Sequence, residues 1–439
     1  ILLIKVILFF YIYPMRLLLY FFLFFISTSI SAQKFSKTKI ARVLKKISAF
    51  DKAHIAFSVE SLNGSSPVAS FQDEKYMTPA SNTKLLTFLA AIQNFDSIPA
   101  VFFYQEKDSI MHFKSSGYPL LFHHLYPDDS LTSFFMKKKI WRYHTPNSRL
   151  KHQGLGWSWD DYFYYFAAES SSFPIYGNSV QASFNYKGPQ LFPRSFEKRL
   201  VSDTIVSVFE RDRIRNIFYY NPKNISIKDT LYLPFITSDS LFVSLLEEKI
   251  NYSVELSNPN EQIPWQALNT NQESIIYKAL LQDSDNGIAE SLLTMISQKR
   301  FDEMNIEKTI DSIKQEWNLW LPDHLEWVDG SGVSRYNMLT PRTLIAVLKK
   351  IHETLGWKKI DTYFPKTGIS GTLKAYKTLR EVYAKTGSLR HNHNLSGYWK
   401  STKENVYVFS IMVNHFTAPK EEIRLGISEL LEFFQKKLR

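Results

Sequence analysis

The apolar positions of this chain change period several times, and the changes divide it. Residues 17–26 form an unbroken apolar run, preceded by Met15-Arg16 and followed by Ser27-Thr28-Ser29-Ile30-Ser31-Ala32. A basic start, a short apolar run and small residues read as an export signal cleaved after Ala32. The competing reading is an uncleaved anchor over residues 1–30, which Pro14 and Arg16 interrupt. On either reading the remainder is exported. A short helical pattern at 40–50 gives way to strand-like alternation at 54–59 and 68–71, with Asn63-Gly64-Ser65-Ser66 between them as a hairpin signal. Thr78 as N-cap, Pro79 at the first helical position and a 3.6-residue apolar repeat to residue 92 predict a buried helix.

From 97 to about 259 the texture is different. Short aromatic and β-branched runs are broken by Pro, Gly, Asn and Asp, as at Gly117-Tyr118-Pro119 and Gly188-Pro189, which predicts a β-rich insert. Its densest aromatic stretch, residues 157–166, reads as aromatic-rich core, with a sugar-stacking platform as the alternative. Helical periodicity returns at 272–281 and, after a break, at 287–296. Ser284-Asp285-Asn286 falls in the break, where polar side chains turn inward from a helix–helix corner. A tight turn at Asp329-Gly330-Ser331-Gly332 precedes an amphipathic helix over 341–353. Strands are expected at 381–384, 395–400 and 406–413, and a closing helix at 421–438. No internal repeat or low-complexity linker interrupts this order. The expected division is an export segment at 1–32, one domain split between 33–96 and 261–439, and the insert at 97–260.

Composition narrows the possibilities. With 439 residues the chain can bury more than one core, and its 44% apolar content excludes a disordered chain and a multi-span membrane protein. The net charge of +11 suits an anionic partner, but clusters such as Lys137-Lys138-Lys139 are short, so a solvated basic surface is the simpler reading. No nucleic-acid motif accompanies the charge. The absence of cysteine removes disulfides, thiol nucleophiles and a lipoprotein anchor. None of the 11 histidines has metal-ligand spacing, and His391-Asn392-His393 reads as a polar turn. There is no phosphate loop or dinucleotide fingerprint, so no metal and no cofactor are expected.

Three motifs occur in an informative order: Ser81-Asn82-Thr83-Lys84, Ser284-Asp285-Asn286 and Lys385-Thr386-Gly387. Singly each recurs by chance, as Lys366-Thr367-Gly368 does in a stretch of loop composition after Pro365. Together they serve acyl transfer through a serine ester. Ser81 and Lys84 share one helix face, and the backbone N–H of a first-turn serine is free to meet an oxyanion. A hydroxyl needs a base, and Lys84 becomes one if burial and a second cation, Lys385, depress its pKa. Ser284 is placed to relay a proton and Asn286 to hold Lys84 and the substrate backbone. Asp285 between them faces the other way and is structural. Lys385 and Thr386 suit a substrate carboxylate, Gly387 lets a ligand lie along the strand, and the Ser388 N–H supplies a second oxyanion donor.

These stretches, with Asp329-Gly330-Ser331-Gly332-Val333-Ser334-Arg335, Gly371-Thr372-Leu373 and Leu395-Ser396-Gly397-Tyr398, resemble the class C low-molecular-weight penicillin-binding proteins, the D-alanyl-D-alanine carboxypeptidase/endopeptidase family. The long gap between Ser81 and Ser284 fits a family that inserts extra domains there. The resemblance implies an α+β fold, a transpeptidase-like domain of antiparallel sheet flanked by helices plus a helical subdomain, with the β-rich insert added. It also implies a serine D,D-peptidase: Ser81 as acylated nucleophile, Lys84 as proton acceptor, Ser284 and Asn286 completing the relay, and Lys385 binding the carboxylate. Partners would be peptidoglycan peptides, with β-lactams as covalent inhibitors, in the periplasm or cell envelope; no nucleic acid, and a membrane only if the first segment stays uncleaved. Two features depart from the family: Tyr118 stands where a Gly-Asp-Pro turn is common, and His391-Asn392-His393-Asn394 stands where small residues are common. A β-lactamase or esterase on the same scaffold, and a decayed cell-wall-binding scaffold, are the alternatives. The lack of a glutamate placed to activate a deacylating water favours the peptidase.

Overall fold

The strand pattern at 54–59 meets its partner at the far end of the chain. In the computed structural model, which describes residues 35–438 apart from 99, 137–139, 186–187, 227–229, 258–262 and 377–379, His54–Ser61 pairs antiparallel with Val406–Asn414, His54 opposite Asn414. The export segment and the Lys137–Lys139 triplet lie outside the described residues. The sheet runs Val382–Leu389, Asn392–Lys400, Val406–Asn414, His54–Ser61, Ala69–Phe71, all neighbours antiparallel. Its strands are buried on both faces because helices cover both. Phe57, Val59, Leu395 and Ile411 pack with the closing helix Lys420–Lys437 and with Ile40 and Leu44. Ala56, Tyr398, Val408 and Met412 pack on the other side with the helices Lys84–Asn94 and Pro341–Tyr363.

The second layer is helical. Asn286–Phe301 is buried over most of its length against Lys84–Asn94 and Ile306–Trp317. Asp285 caps it, accepting from the Ile288 N–H at 2.8 Å, which is the structural part expected of that residue. The insert contributes a sheet ordered Ser253–Ser257, Ile140–His144, Ile110–Ser115, Phe102–Lys107, Gln266–Leu268, and two three-stranded sheets. Gln266–Leu268 pairs with Phe102–Tyr104, so the insert sheet takes in residues beyond 260.

Several local expectations change. The helix at 40–50 breaks after Leu44, and Ser48–Phe50 is a separate 3₁₀ turn. Thr78 does not cap the serine helix. Its N–H donates to Asn414 Oδ1 at 2.7 Å, Ala80 adopts φ 48°, and Ala80–Thr83 is a 3₁₀ turn ahead of Lys84–Asn94. The turn is held by sheet asparagines rather than by a cap, since Asn394 Nδ2 donates to the carbonyls of Thr78 and Pro79 at 2.9 Å. Helices at Asp129–Phe135, Asp239–Ile250 and Ile306–Trp317 were not foreseen. The 157–166 stretch is not core: none of its residues is buried. It has neither helical nor strand periodicity to give it one apolar face, and Asp160 in its middle stays exposed. The expected turn after Lys385 is shorter than anticipated. Only Arg390 and His391 form it, and Asn392–Lys400 is strand, so His393 is a buried strand residue between Ser388 Oγ and Tyr376 OH, each at 2.7 Å.

Candidate active site

Ser81 is brought to the sheet by two close approaches. A Cβ built on Gly387 would lie 2.3 Å from the Pro79 carbonyl oxygen, and one on Gly332 would lie 2.0 Å from that of Ala80. Only glycine lets the edge strand Val382–Leu389 and the 329–332 turn press on the serine turn from both sides. Gly332 also sits at φ 82°. Gly332→Ala is therefore expected to force the turn away from Ser81 and to cost about 3 kcal/mol or more, read as a lowered melting temperature.

Lys84 is fully buried. Its Nζ contacts Asn286 Oδ1 at 2.6 Å, the Ser331 carbonyl at 2.6 Å and Ser81 Oγ at 3.2 Å. The first two partners only accept hydrogen bonds, so they take two N–H groups. In the neutral amine the remaining position is the lone pair, and it faces Ser81. Burial pushes the Lys84 ammonium down to about 8, while Asp329, Asp285 and Glu290 hold it from falling further. The expectation that Lys385 depresses Lys84 is corrected here. Burial does that, and the like charge tells on Lys385, which burial and then Lys84 push well below the ordinary lysine value.

Two groups that sequence reading passed over fix Lys84's partners. Glu290 accepts from the N–H groups of Gly330 and Ser331 at 3.1 and 2.8 Å, which aims the Ser331 carbonyl at Lys84. Burial and the neighbouring Asp329 push its carboxyl up. Asp329 in turn accepts from the N–H groups of Gly332 and Ser334 and from Trp157 Nε1. The signal for Glu290 was present: it lies four residues after Asn286, on the same helix face. Asn286 Nδ2 donates to the Phe166 carbonyl at 2.6 Å, leaving Oδ1 for Lys84.

Ser284 stands at the corner where Ala279–Asp283, a π-helical turn, ends with Ser284 at φ 63°. Its Oγ accepts from Lys385 Nζ at 2.8 Å. Lys385 is fully buried and also donates to the Thr386 carbonyl. Thr386 Oγ1 donates to Thr372 Oγ1 at 2.7 Å. The Ala384 N–H leaves the sheet for the Pro365 carbonyl, so by the two-residue period of a strand the N–H groups of Thr386 and Ser388 also face away from Asn392–Lys400. Ser81, Lys84 and Asn286 thus meet directly, as do Ser284 and Lys385, and Gly387 lies against the serine turn. The rival Lys366 pairs with Asp361 at 2.7 Å, and Thr367 bonds the start of the edge strand, away from this group. Tyr118 is a buried residue whose hydroxyl donates to Asp128 Oδ2 at 3.3 Å, so the departure there belongs to the core of the insert. A cavity of about 390 Å³ opens at Ser284 and Asn286 and runs beneath the insert past Trp157, Tyr165 and Phe166.

Comparison with known proteins places this geometry. The family model described as D-Ala-D-Ala carboxypeptidase 3 (S13) family matches residues 36–99 and 257–433, which hold all three motifs and leave the insert between. The D-alanyl-D-alanine carboxypeptidase DacB of Haemophilus influenzae is 27% identical over 168 residues, 36% of this chain and 35% of that protein. The penicillin-sensitive carboxypeptidase A of Dictyostelium discoideum is 35% identical over 107 residues, 22% of this chain and 20% of that protein. The matched sequence therefore spans about a third and a fifth of those relatives' own lengths. The crystal structure of penicillin binding protein 4 (dacB) from Haemophilus influenzae superposes with a TM-score of 0.73 at 18% identity, over 90% of this chain and 99% of that one, a likeness of fold.

Proposed function

Because the chain belongs to the D-Ala-D-Ala carboxypeptidase 3 (S13) family, we propose that it is a serine D,D-peptidase acting on peptidoglycan stem peptides. The observation that carries this reading is the Lys84 amine, whose two fixed acceptors leave its lone pair for Ser81 Oγ at 3.2 Å. Lys84 takes the Ser81 proton as Oγ attacks the carbonyl of the penultimate D-Ala. The tetrahedral oxyanion meets the N–H groups of Ser81 and Ser388. The proton passes by way of Ser284 to the leaving amine, the C–N bond breaks, and an ester on Ser81 remains for water to hydrolyse. Lys385 and Thr386 hold the terminal carboxylate. A free D-Ala as leaving group makes the enzyme a carboxypeptidase; the amine of a cross-linked stem makes it an endopeptidase.

A β-lactam presents the same carbonyl and carboxylate, and would acylate Ser81. The Haemophilus influenzae relative has a structure complexed with a β-lactam. Glu290 is engaged by two backbone N–H groups and Asp285 by a helix cap, which favours an ester that clears slowly over a β-lactamase. We place the protein outside the cytoplasm on the strength of the apolar run at 17–26. Among the described residues no helix is long and apolar enough to cross a membrane. The test is digestion of purified peptidoglycan, with the products resolved by mass. Conversion of pentapeptides to tetrapeptides with release of D-Ala, or splitting of D-Ala cross-links, is expected. Folded protein that takes a penicillin label yet yields neither product overturns the assigned substrate.

A further inference from the structure

We propose that the exposed aromatic shelf of the 157–166 loop is a binding subsite for the glycan of the strand whose stem peptide enters the cavity. This rests on the D,D-peptidase reading above. The loop is anchored to the site at both ends. Trp157 Nε1 donates to Asp329 Oδ2 at 2.9 Å, and Ser158 Oγ accepts from Arg335 Nε at 2.8 Å. At the other end the Phe166 carbonyl accepts from Asn286 Nδ2 at 2.6 Å. Its middle is anchored from below: Tyr162 OH donates to Glu169, which accepts from the Thr237 N–H and hydroxyl, and the Arg211 guanidinium lies 4.6 Å from the Tyr162 ring centre.

Between these anchors the rings turn outward. Trp159, Tyr164 and Tyr165 are 66%, 57% and 61% exposed. The Tyr164 and Phe166 rings lie 5° from parallel at 5.4 Å, and the Arg213 guanidinium lies 4.5 Å from the Trp159 ring centre. Tyr165 and Phe166 also line the cavity that holds Ser284 and Asn286, so shelf and cavity are continuous. A fixed, exposed aromatic surface beside a polar relay is what a ligand with an apolar face and polar edges would cover. Sugar rings have that character, offering C–H groups on a face and hydroxyl and acetamido groups at the rim, where Arg213 supplies donors. Asp160 and Asp161 offset the charges of Arg213 and Arg335 beside the shelf, which favours neutral N-acetylated sugars over an anionic polymer. An extended pentapeptide reaches at most about 17 Å, so the sugar that bears it remains near the mouth of the cavity.

The test uses two soluble substrates with one pentapeptide, attached either to the N-acetylglucosamine–N-acetylmuramic acid disaccharide or to an acetyl group. The intact protein is expected to favour the disaccharide form by about 10-fold in kcat/KM, through KM. Trp159→Ala with Tyr164→Ala is expected to lose that preference, while Trp159→Phe with Tyr164→Phe retains most of it. The penicillin acylation rate, which involves no sugar, reports on the serine alone and on folding. Calorimetric titration of the disaccharide reads the shelf without turnover, with binding expected to the parent and none to the alanine variant. A preference that survives the alanine changes, equal losses on both substrates, or a parent that neither prefers nor binds the disaccharide overturns the proposal. A parent that binds the disaccharide but releases no D-Ala and takes no penicillin label would leave the shelf standing and bring down the peptidase reading instead.

Discussion

Ser81→Ala is expected to take up no fluorescent penicillin and to lose D-Ala release by about 10⁴- to 10⁶-fold in kcat/KM. The size follows from the chemistry proposed, because without the hydroxyl no ester forms and only binding and oxyanion stabilisation remain. The change should leave the fold alone. Ser81 Oγ meets Lys84 at 3.2 Å, and Lys84 keeps its two shorter bonds to Asn286 and Ser331 when the hydroxyl is gone. Thermal unfolding within a few degrees of the parent is therefore expected, which separates loss of chemistry from loss of structure. A label of parental intensity on the Ser81→Ala protein would move the nucleophile elsewhere and dissolve the assignment of Lys84 with it.

What could be read from the sequence follows from where the physical signal was local. The strands expected at 54–59 and 406–413 were legible, the first from its alternation and the second from its apolar run, and the closing helix because its apolar positions repeat at 3.6 residues. The pairing of the first strand with the last was not legible, since nothing local reports a contact across some 350 residues. The motifs located the candidate residues, but each motif is short, and only the folded chain brings Asn286 to Lys84 and Ser284 to Lys385. The false expectations have more than one origin. Thr78 gave way as a cap to a 3₁₀ turn held by Asn394 and Asn414, and His393 left the expected polar turn because only Arg390 and His391 reverse the chain. Aromatic density at 157–166 signalled burial by composition, yet the period that would have turned those rings inward was missing.

Lys84→Met is expected to lower acylation by about 10²- to 10⁴-fold, the range for a positioned general base, at similar penicillin affinity before acylation. The parent's pH profile gives the sharper measurement. The free enzyme reacts only with the amine neutral, so acylation should rise with pH and reach half its plateau at about 8, the value to which burial lowers Lys84. The same depression has a consequence for stability. In the unfolded chain the lysine keeps its proton to about 10.4, whereas in the native protein it gives it up at about 8. Between those values the unfolded state binds more protons, so native stability rises with pH, by about 3 kcal/mol at most. Lys84→Met removes that dependence, and the difference in melting temperature between parent and variant should shift in the parent's favour from pH 8 to pH 10. A parent whose acylation is flat from pH 6 to pH 9, with no such shift, would mean that Lys84 keeps its proton throughout and that another group accepts the one from Ser81.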